Sequence, residues 1–562
     1  MPLSAQGHRG SPPLRLKANN MSSSASSETV AASPPGQAAS AWAPFRHRTF
    51  TIIWVATVVS NVGGWMYSVA CGWLMTSLDP NPLTVSLVQV ANSLPMFLFA
   101  IPAGALVDIV DRRLFLIIGE SAVTLTSTAF AALVWFHLIT PVSLLIFTFF
   151  VTVASAVTAP AWQAVVPQLV PKSEMPAAIA ANSVGINVSR ALGPALGGVV
   201  TATLGIVAPF WFNGISNVGV VAALIRWREP KGSGHLLPPE TFGAAMRTGL
   251  RHARYNTHLR STLIRTVGFF VFASAYWALM PLVARRQIAG SPALYGSLLA
   301  VIGAAAVAGA FLLRPLRARL GADRLLATAT VATAAATALF GLAHHAATAL
   351  AASVLAGASW IAGVSSLNVS AQVALPEWVR GRGLAMYVTI MFGALSLGSA
   401  IWGEVASIAG LPTALYAAAA GALIAIPLTW HWKLQTGAAV DLTPSMAWPE
   451  PITTREIEPD RGPVLVTVEY RIEPKHREQF LRAMSRIARS LRRDGAYDFG
   501  IFEDPADDGR FVETFMTDSW LDHMRLHQRI TNADTEEERA VRRLQVGGEP
   551  KTTHLILAQP RE

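Results

Sequence analysis

Long apolar runs recur between residues 50 and 432, and they limit what the chain can fold into. A helix needs ~20 mostly apolar residues to cross a hydrocarbon core of about 30 Å. Runs of this length alternate with turn-forming or charged residues, and so many of them lack a polar face that a large soluble helical protein is disfavoured. We therefore predict an all-α polytopic membrane region of twelve helices, at residues 50–75, 83–107, 114–136, 141–163, 175–203, 207–227, 262–284, 292–313, 325–343, 347–370, 383–407 and 412–432.

The composition supports a membrane protein. Of the 562 residues, 52% are hydrophobic and 14% are charged, against roughly 25% charged in an average soluble domain. The net charge is +10, but the Lys and Arg residues lie between apolar runs and not in one patch with interleaved aromatics, so we expect no nucleic-acid partner. The single cysteine, Cys71, excludes an internal disulfide, a cysteine zinc cluster and a redox pair.

The basic residues in the short connections predict the orientation, because cytoplasmic loops are enriched in Lys and Arg. One set of loops contains most of these residues, among them Arg112, Arg113, Lys172, Arg317 and Arg380. The opposite set, which includes residues 79–82, 137–141, 205–209, 344–346 and 410–412, contains only Arg285 and Arg286. We therefore expect a multi-pass protein of the cell inner membrane, in contact with membrane lipid, with both termini in the cytoplasm.

The helices divide into two sets of six. The connection after the sixth helix is long, polar and basic, and the segment after helix 2, from Gly104 to Arg113, is echoed after helix 8 from Arg314 to Arg324. Two parallel six-helix repeats are a known transporter architecture.

Several motifs resemble the major facilitator superfamily. Its signature between helices 2 and 3, Gly-x-Leu-x-Asp-x-x-x-Arg-Arg/Lys, is matched by Gly104, Leu106, Asp108, Arg112 and Arg113. Further matches are Leu94-Pro95-Met96, Ala159-Pro160-Ala161-Trp162-Gln163, the helix 5 segment from Arg190 to Gly198, and the segment from Pro376 to Arg382. Together they are similar to the transmembrane secretion effector branch and its enterobactin exporters, over roughly residues 45–560. The resemblance implies the major facilitator fold, export of a small molecule and a coupling proton, although helix 4 lacks the arginine that many proton-coupled exporters have there.

The loop motif and its echo give a set of candidate gating residues. A carboxylate such as Asp108 can lie at helix N-termini or pair with Arg, and so hold the cytoplasmic ends of two helices together. The alternative is that these charges only mark topology. The candidate gating residues are Gly104, Asp108, Arg112, Arg113, Asp323, Arg380 and Arg382.

Helix 5 carries a glycine- and proline-rich segment with Gly193, Pro194, Gly197 and Gly198. Glycines let helices approach closely, and a proline bends the helix axis. In the family a motif of this form marks exporters; an ordinary helix contact is the alternative.

Three ionisable residues stand out inside predicted spans, where charge is costly. They are Glu120, Arg190 and Glu404. Either glutamate could carry a coupling proton, while surface exposure of Glu404 and a buried partner for Glu120 are the alternatives. Arg190 needs an anionic substrate or a glutamate partner at its depth.

Uncharged polar residues on the helices that line the family's central cavity are candidates for substrate contact, with interhelical hydrogen bonds as the alternative. They are Asn61, Gln89, Asn92, Gln163, Asn187, Asn368 and Gln372, with Asn182. With Trp65, Tyr67, Tyr276 and Trp277 they suggest a cavity for an amphipathic small-molecule substrate.

A soluble pattern begins at Pro463. Residues 464–470, 497–503, 510–517 and 554–558 read as strands, and residues 475–493 and 519–530 read as helices. This βαββαβ order is ferredoxin-like, and it resembles the antibiotic-biosynthesis-monooxygenase-like domain, which implies a homodimer through this domain. His523 and His527 lie one helical turn apart beside Trp520, but two histidines without a third ligand make a weak metal site. We therefore expect no metal, no cofactor and no enzyme activity.

The predicted domains are a disordered tail (1–43), a six-helix bundle (44–227), a cytoplasmic linker (228–261), a second six-helix bundle (262–432), a linker (433–462) and a cytoplasmic ferredoxin-like domain (463–562). The first hypothesis is a secondary exporter of a siderophore-like or drug-like molecule working by alternating access. The others are a membrane-tethered protein whose C-terminal domain is enzymatic or regulatory, and a sensor built on a transporter body. No Walker-type sequence is present, which argues against ATP-driven transport within the chain.

Overall fold

The structure is a computed structural model, and it describes residues 40, 42–107, 110–227, 242–436, 441–445, 447–449, 451, 453 and 457–558. The candidate gating residue Asp108 and nearly all of the predicted N-terminal tail lie outside this part of the chain.

The apolar runs form long helices whose ends follow the turn and charge signals. Prolines occupy the first turns of several helices, where a missing N–H is tolerated, and Gly205 and Gly410 end two helices at positive φ angles of 90° and 89°. The first half consists of α1 (Arg48–Leu78), α2 (Pro82–Val107), α3 (Arg112–Trp135), α4 (Pro141–Val165), α5 (Met175–Leu204) and α6 (Ala208–Arg226). After α7 (Phe242–Tyr255), the second half consists of α8 (Thr257–Leu282), α9 (Pro292–Gly341), α10 (Ala346–Val373), α11 (Arg380–Ala409) and α12 (Leu411–Thr429).

Within the described residues, 10 helices are long and apolar enough to cross a membrane. Helix α5 is not among them, although it has 30 residues, because Asn182, Asn187 and Arg190 lower its hydropathy. Helix α9 counts once, although its 50 residues cover two predicted spans. The predicted loop at 314–324 is wrong in part: the chain stays helical to Leu320 and breaks only at Gly321, whose φ of 72° suits a residue without a Cβ.

The segment between the halves contains a helix that the apolar pattern did not indicate. Helix α7 has its last turn rich in basic residues, and it contacts α11 and the C-terminal domain. Asn256 then begins α8, since its side-chain oxygen accepts hydrogen bonds from the N–H groups of His258 and Leu259 at 3.0 and 2.9 Å.

The C-terminal residues form a four-stranded antiparallel sheet with helices packed on one face. Its elements are β1 (Val464–Arg471), α13 (Arg477–Asp494), β2 (Tyr497–Glu503), β3 (Arg510–Thr517), α14 (Trp520–Arg529), α15 (Asn532–Arg542) and β4 (Lys551–Ile556). The strand order is β2-β3-β1-β4. Val464, Val466, Phe511 and Phe515 alternate towards the helices and are buried with Phe480 of α13. Strands β1, β2 and β3 agree with the predicted strands to within one residue, whereas β4 begins at Lys551 and ends at Ile556 instead of covering 554–558. Helix α15 is an addition to the predicted order.

Candidate functional site: the interface between the two halves

The helices define two sides of the membrane region. We call the side with residues 171–174, residues 376–379 and the C-terminal domain the tail side. The side with residues 79–81, 288–291 and 410 is the far side.

Helices α5 and α9 join the two halves through glycines. A Cβ placed on Gly198 would lie 2.8 Å from the Gly296 Cα, and one placed on Gly296 would lie 2.5 Å from the Pro194 carbonyl oxygen. Deeper in the membrane, a Cβ on Gly303 would lie 3.0 Å from the Arg190 carbonyl oxygen. The two backbones are therefore in contact along this line, as small residues allow. We call such a line of contact between a helix of the first half and a helix of the second half a seam.

The other glycines of the α5 motif face the first half itself. A Cβ on Gly193 would meet the Trp65 side chain at 2.5 Å, and one on Gly197 would meet the Met66 Cα at 2.8 Å. The motif thus packs α5 on α1 with one pair of glycines and on α9 with Pro194 and Gly198. It is a helix contact, but one that lies between the two halves.

Helices α2 and α11 form a second seam. The hydroxyls of Ser93 and Ser396 are hydrogen-bonded at 2.7 Å, and Gly403 leaves room for the Ser86 hydroxyl, which would lie 1.8 Å from a Cβ there. At the tail-side end of the seam, the Phe97 ring lies against Gly393.

Arg285 closes the far side between α1 and the end of α8. Its guanidinium donates to the Thr76 hydroxyl at 2.9 Å and to the Ser77 hydroxyl, and it lies 5.3 Å from the Trp73 ring centroid. The sequence marked Arg285 only as an exception to the charge distribution.

These contacts between the halves concentrate towards the far side. One hydrophobic core combines residues of both halves at the far side, such as Met75 and Leu298, and it continues to the tail side only in the second half, with residues such as Leu375. A second core, at the tail-side ends of the first half, draws its described residues, including Phe50, Leu116 and Val165, from the first half alone.

Arg190 lies at the middle of the 30-residue helix α5, roughly 22 Å along the axis from Met175. Its guanidinium carbon is 6.0 Å from the Trp65 ring centroid. No carboxylate of the described residues comes within the 4.0 Å of an ion pair. The glutamates considered as partners lie elsewhere in this conformation.

Glu120 and Glu404 occupy different surroundings. The Trp162 indole N–H donates to Glu120 Oε1 at 2.8 Å, which joins α3 to α4. Glu404 is exposed near the far side, where the Ser407 hydroxyl donates to it at 3.3 Å. Glu120 thus has a polar partner inside the bundle, and Glu404 has the surface position that the sequence left open.

The polar cavity candidates fall into two groups. Gln163, Asn187 and Gln372 are exposed, whereas Asn61, Gln89, Asn92, Asn182 and Asn368 are half-buried. Two have local partners: Asn187 donates to the Ser183 carbonyl at 2.8 Å, and Gln372 donates to Asn368 at 2.6 Å. Tyr67 and Tyr276 are buried in aromatic clusters, with Phe130 and Phe210 and with Phe340 respectively.

Two of the candidate gating residues, Arg113 and Asp323, form hydrogen bonds or ion pairs with residues of their own half. Arg113 donates to the carbonyls of Leu224 and Ile225 at 3.0 and 2.5 Å, and so satisfies the last turn of α6. Asp323 pairs with Arg265 at 3.2 Å and accepts the Leu434 N–H, which ties α9, α8 and the end of α12 together.

The remaining gating candidates lie at the tail-side ends of helices. Arg380 pairs with exposed Glu377 at 3.7 Å, and the Cβ of Arg382 lies beside Gly249 of α7. Gly104 and Arg112 are half-buried at the tail-side ends of α2 and α3.

The C-terminal domain docks on the tail side of the second half. Arg529 donates to the Asp494 carbonyl at 2.7 Å and lies over the Trp378 ring, 4.5 Å from its centroid. His252 of α7 is 3.9 Å from the Asp494 carboxylate, but burial, with Arg493 and Arg529 nearby, lowers the pKa of His252 to about 3. The histidine is therefore neutral, and this contact is not an ion pair.

Sequence reasoning missed Ser93, Ser396, Gly296 and Gly303. The two glycines lie seven residues apart in α9, a spacing that places both on one face of the helix and that would have indicated a seam.

The chain is similar to one family profile, to curated relatives and to solved structures. The profile of the transmembrane secretion effector family matches residues 39–562. The staphyloferrin A transporter of Staphylococcus aureus is 28% identical over 142 residues, which cover 25% of this chain and 36% of that protein. Macrolide efflux protein A of Streptococcus pyogenes is 24% identical over 247 residues, which cover 43% of this chain and 60% of that protein. The chain thus spans less than two thirds of the length of these curated relatives.

Solved structures show the same fold. A bacterial homologue of the human lysosomal transporter Spinster, in an inward-facing and unoccupied conformation, superposes with a TM-score of 0.54 at 14% identity, covering 69% of this chain and 97% of that one. The nucleoside transporter NupG gives a TM-score of 0.52 at 10% identity, covering 68% and 99%. With the family profile matching nearly the whole chain, this protein belongs to the transmembrane secretion effector family.

Proposed function

We propose that the chain exports a small amphipathic molecule with an anionic group by alternating access. The main observation behind this proposal is the position of Arg190. Its permanently charged guanidinium lies in mid-membrane beside Trp65, and no described carboxylate lies within ion-pair distance of it. A desolvated guanidinium is stabilised by an anion, and an adjacent indole offers a flat apolar surface. The names of the relatives, a staphyloferrin A transporter and a macrolide efflux protein, support siderophore-like and drug-like substrates.

The proposed architecture has twelve membrane spans, with α5 and the two parts of α9 divided at Gly321 completing the set. The seams α5–α9 and α2–α11 would close the far side in this conformation, and the substrate path would open on the tail side. The tail side is proposed to face the cytoplasm, because the basic loops lie there.

Proton coupling is proposed through Glu120. Among the described residues, the only group that donates a hydrogen bond to the Glu120 carboxylate is the Trp162 indole. Protonation of Glu120 would therefore break no ion pair. Glu404, exposed near the far side, is the less suited of the two glutamates.

The C-terminal domain is proposed to be a ferredoxin-like, monooxygenase-like module that regulates transport or forms a homodimer. Its docking through Trp378 to the α10–α11 connection supports regulation. The sheet face away from the helices supports dimerisation, because Phe502 and Leu555 on it are 60% and 51% exposed. An enzymatic role is the second candidate, supported by a cavity of about 790 Å³ in this domain.

Accumulation assays in a bacterial host lacking its own exporters test the proposal. We expect the chain to lower the cellular content of amphipathic anions more than that of neutral analogues, and an ionophore that collapses the proton gradient to abolish the difference. Glu120→Gln should lose this coupling while Glu404→Gln retains it. Equal accumulation with and without the chain, across anionic and neutral compounds, would contradict export.

A further inference from the structure

Three histidines of the C-terminal domain lie together, although only two are near each other in sequence. His523 and His527 are one turn apart on α14, and their Nε2 atoms are 3.2 Å apart. His554 pairs with Val466 in the β1–β4 ladder, which points its ring towards α14. The ring centroids of His523 and His554 are 4.8 Å apart, and one nitrogen from each of the three histidines lies within 4.8 Å of the others.

The fold therefore supplies the third ligand that the sequence did not reveal. The expectation of no metal depended on the count of two histidines in one helix. His554 of β4 is 27 residues further along the chain than His527, and only the sheet order places it beneath α14.

The spacing of the nitrogens suits a metal ion. Two nitrogens that each bind a tetrahedral Zn²⁺ at about 2.0–2.1 Å are roughly 3.3 Å apart, close to the 3.2 Å between the Nε2 atoms of His523 and His527. The 4.8 Å limit for the whole cluster means that one ring nitrogen must move by up to about 1.5 Å, which a rotation about the side chain's χ angles allows.

The surroundings bury the cluster and hold its rings in place. His523 is 0% exposed, and its Nδ1 is a buried nitrogen without a hydrogen-bond partner in the described structure. Trp520 packs on His523, and Trp448 packs edge-on against His527 at 5.1 Å between centroids.

One side of the cluster opens on a cavity. The space of about 790 Å³ between the sheet and helices α13–α15 is lined by His527 and His554, together with Trp448, Glu513 and Glu538. A metal held by three histidines would have a fourth position facing this cavity, as in zinc sites that keep an open coordination position for water or a ligand.

We propose that His523, His527 and His554 bind one divalent transition-metal ion, with Zn²⁺ as the representative of the class. Imidazole nitrogens suit Zn²⁺, Cu²⁺ and Ni²⁺ better than the alkaline-earth ions. The competing arrangement is a metal-free N–H···N hydrogen bond between His523 and His527. The inference does not depend on the proposed transport function.

The test uses the full-length chain, purified in detergent with its affinity tag removed and treated with a chelator. Zn²⁺ is titrated by calorimetry, and Co²⁺ serves as a visible-absorption probe of coordination. We expect one Zn²⁺ per chain and the intense visible bands of tetrahedral Co²⁺. X-ray absorption should give Zn–N distances of about 2.0–2.1 Å.

Variants His527→Gln and His554→Gln should each weaken Zn²⁺ binding by about 100-fold or more, since changing even a residue that only hydrogen-bonds a metal ligand costs 10- to 100-fold in affinity. His476→Gln, a change in the same domain outside the cluster, should bind like the wild type. Circular dichroism before titration shows that the variants are folded. The proposed site would be overturned if the wild type bound no Zn²⁺ at micromolar concentration, or if folded His554→Gln bound Zn²⁺ with the same affinity as the wild type. Either result would favour the metal-free hydrogen bond between His523 and His527.

Discussion

Gly198 of α5 and Gly296 of α9 hold the two halves in backbone contact, since a Cβ on Gly296 would lie 2.7 Å from the Gly198 Cα. A methyl group there cannot be accommodated by rotating a side chain, because the opposing atoms are main chain. Replacement must separate the helices.

Gly296→Ala should therefore prevent closure of the far side and lower efflux by about tenfold or more, while the protein still inserts. Gly219→Ala in α6 is the matched control, because nothing lies within 4 Å of its added Cβ. Efflux is measured at equal protein level in membranes. Normal efflux by Gly296→Ala would show that this seam does not need to close so tightly during transport.

Arg190→Leu should abolish export of anionic substrates at retained protein level, and Arg190→Lys should restore it only in part because an ammonium lacks the planar fork. Arg286→Leu, which changes an exposed arginine in the short π-helix after α8 (Val283–Gln287), is the control. If Arg190 has only a structural role, the export of neutral and of anionic substrates should fall together, and the protein level in the membrane should fall as well. Normal export by Arg190→Leu would leave α5 with a packing role.

Trp378→Ala should release the C-terminal domain from the tail side, because it removes the ring under Arg529. A desolvated cation–π contact contributes about 2 kcal/mol. We expect faster proteolysis in the segment before residue 463 in detergent-solubilised protein, with unchanged insertion. Trp135→Ala, at an exposed helix end, is the comparison; equal cleavage in the two variants would mean that Trp378 does not hold the domain.

Glu513 should make the stability of the C-terminal domain depend on pH. Burial raises the pKa of Glu513 from 4.5 to about 7, while the Tyr470 hydroxyl donates to it at 2.8 Å. Glu513 thus holds its proton more tightly in the folded domain than in the unfolded chain. Protonated Glu513 therefore contributes to the free energy of unfolding in full below pH 4.5, and this contribution is lost as the pH rises through 7. The loss is on the order of 3 kcal/mol.

Glu513→Gln should remove this dependence, making the domain more stable than the wild type at pH 8 and similar at pH 5. Hydrogen exchange of β1 and β3 in the full-length chain measures it, with exposed Glu478→Gln as control. If the hydrogen exchange of Glu513→Gln slowed at low pH as much as that of the wild type, the pH dependence would belong to another group.

The orientation predicts that epitope tags at either terminus resist protease added to intact cells, because both are expected in the cytoplasm. Opening the cells should expose both tags. Cleavage of either tag in intact cells, with a cytoplasmic marker protein still protected, would reverse the assignment.

The sequence by itself determined the membrane character, the positions of most long helices and three of the four strands of the C-terminal domain. Apolar length, Pro and Gly at helix ends and two-residue alternation are local, so each can be read from neighbouring residues. This is why α4 begins at Pro141 as predicted. The same locality explains the missed α7 and α15, which are short and carry no long apolar run.

Only the tertiary structure decided which distant groups meet. Arg113 satisfies the end of α6, 111 residues away, where the loop motif suggested a latch between helix ends. Gly198 meets Gly296, and His554 joins His523 and His527. Such contacts depend on how helices and strands pack after they form, and the packing is set by the summed fit of many side chains rather than by the spacing of the residues that finally touch.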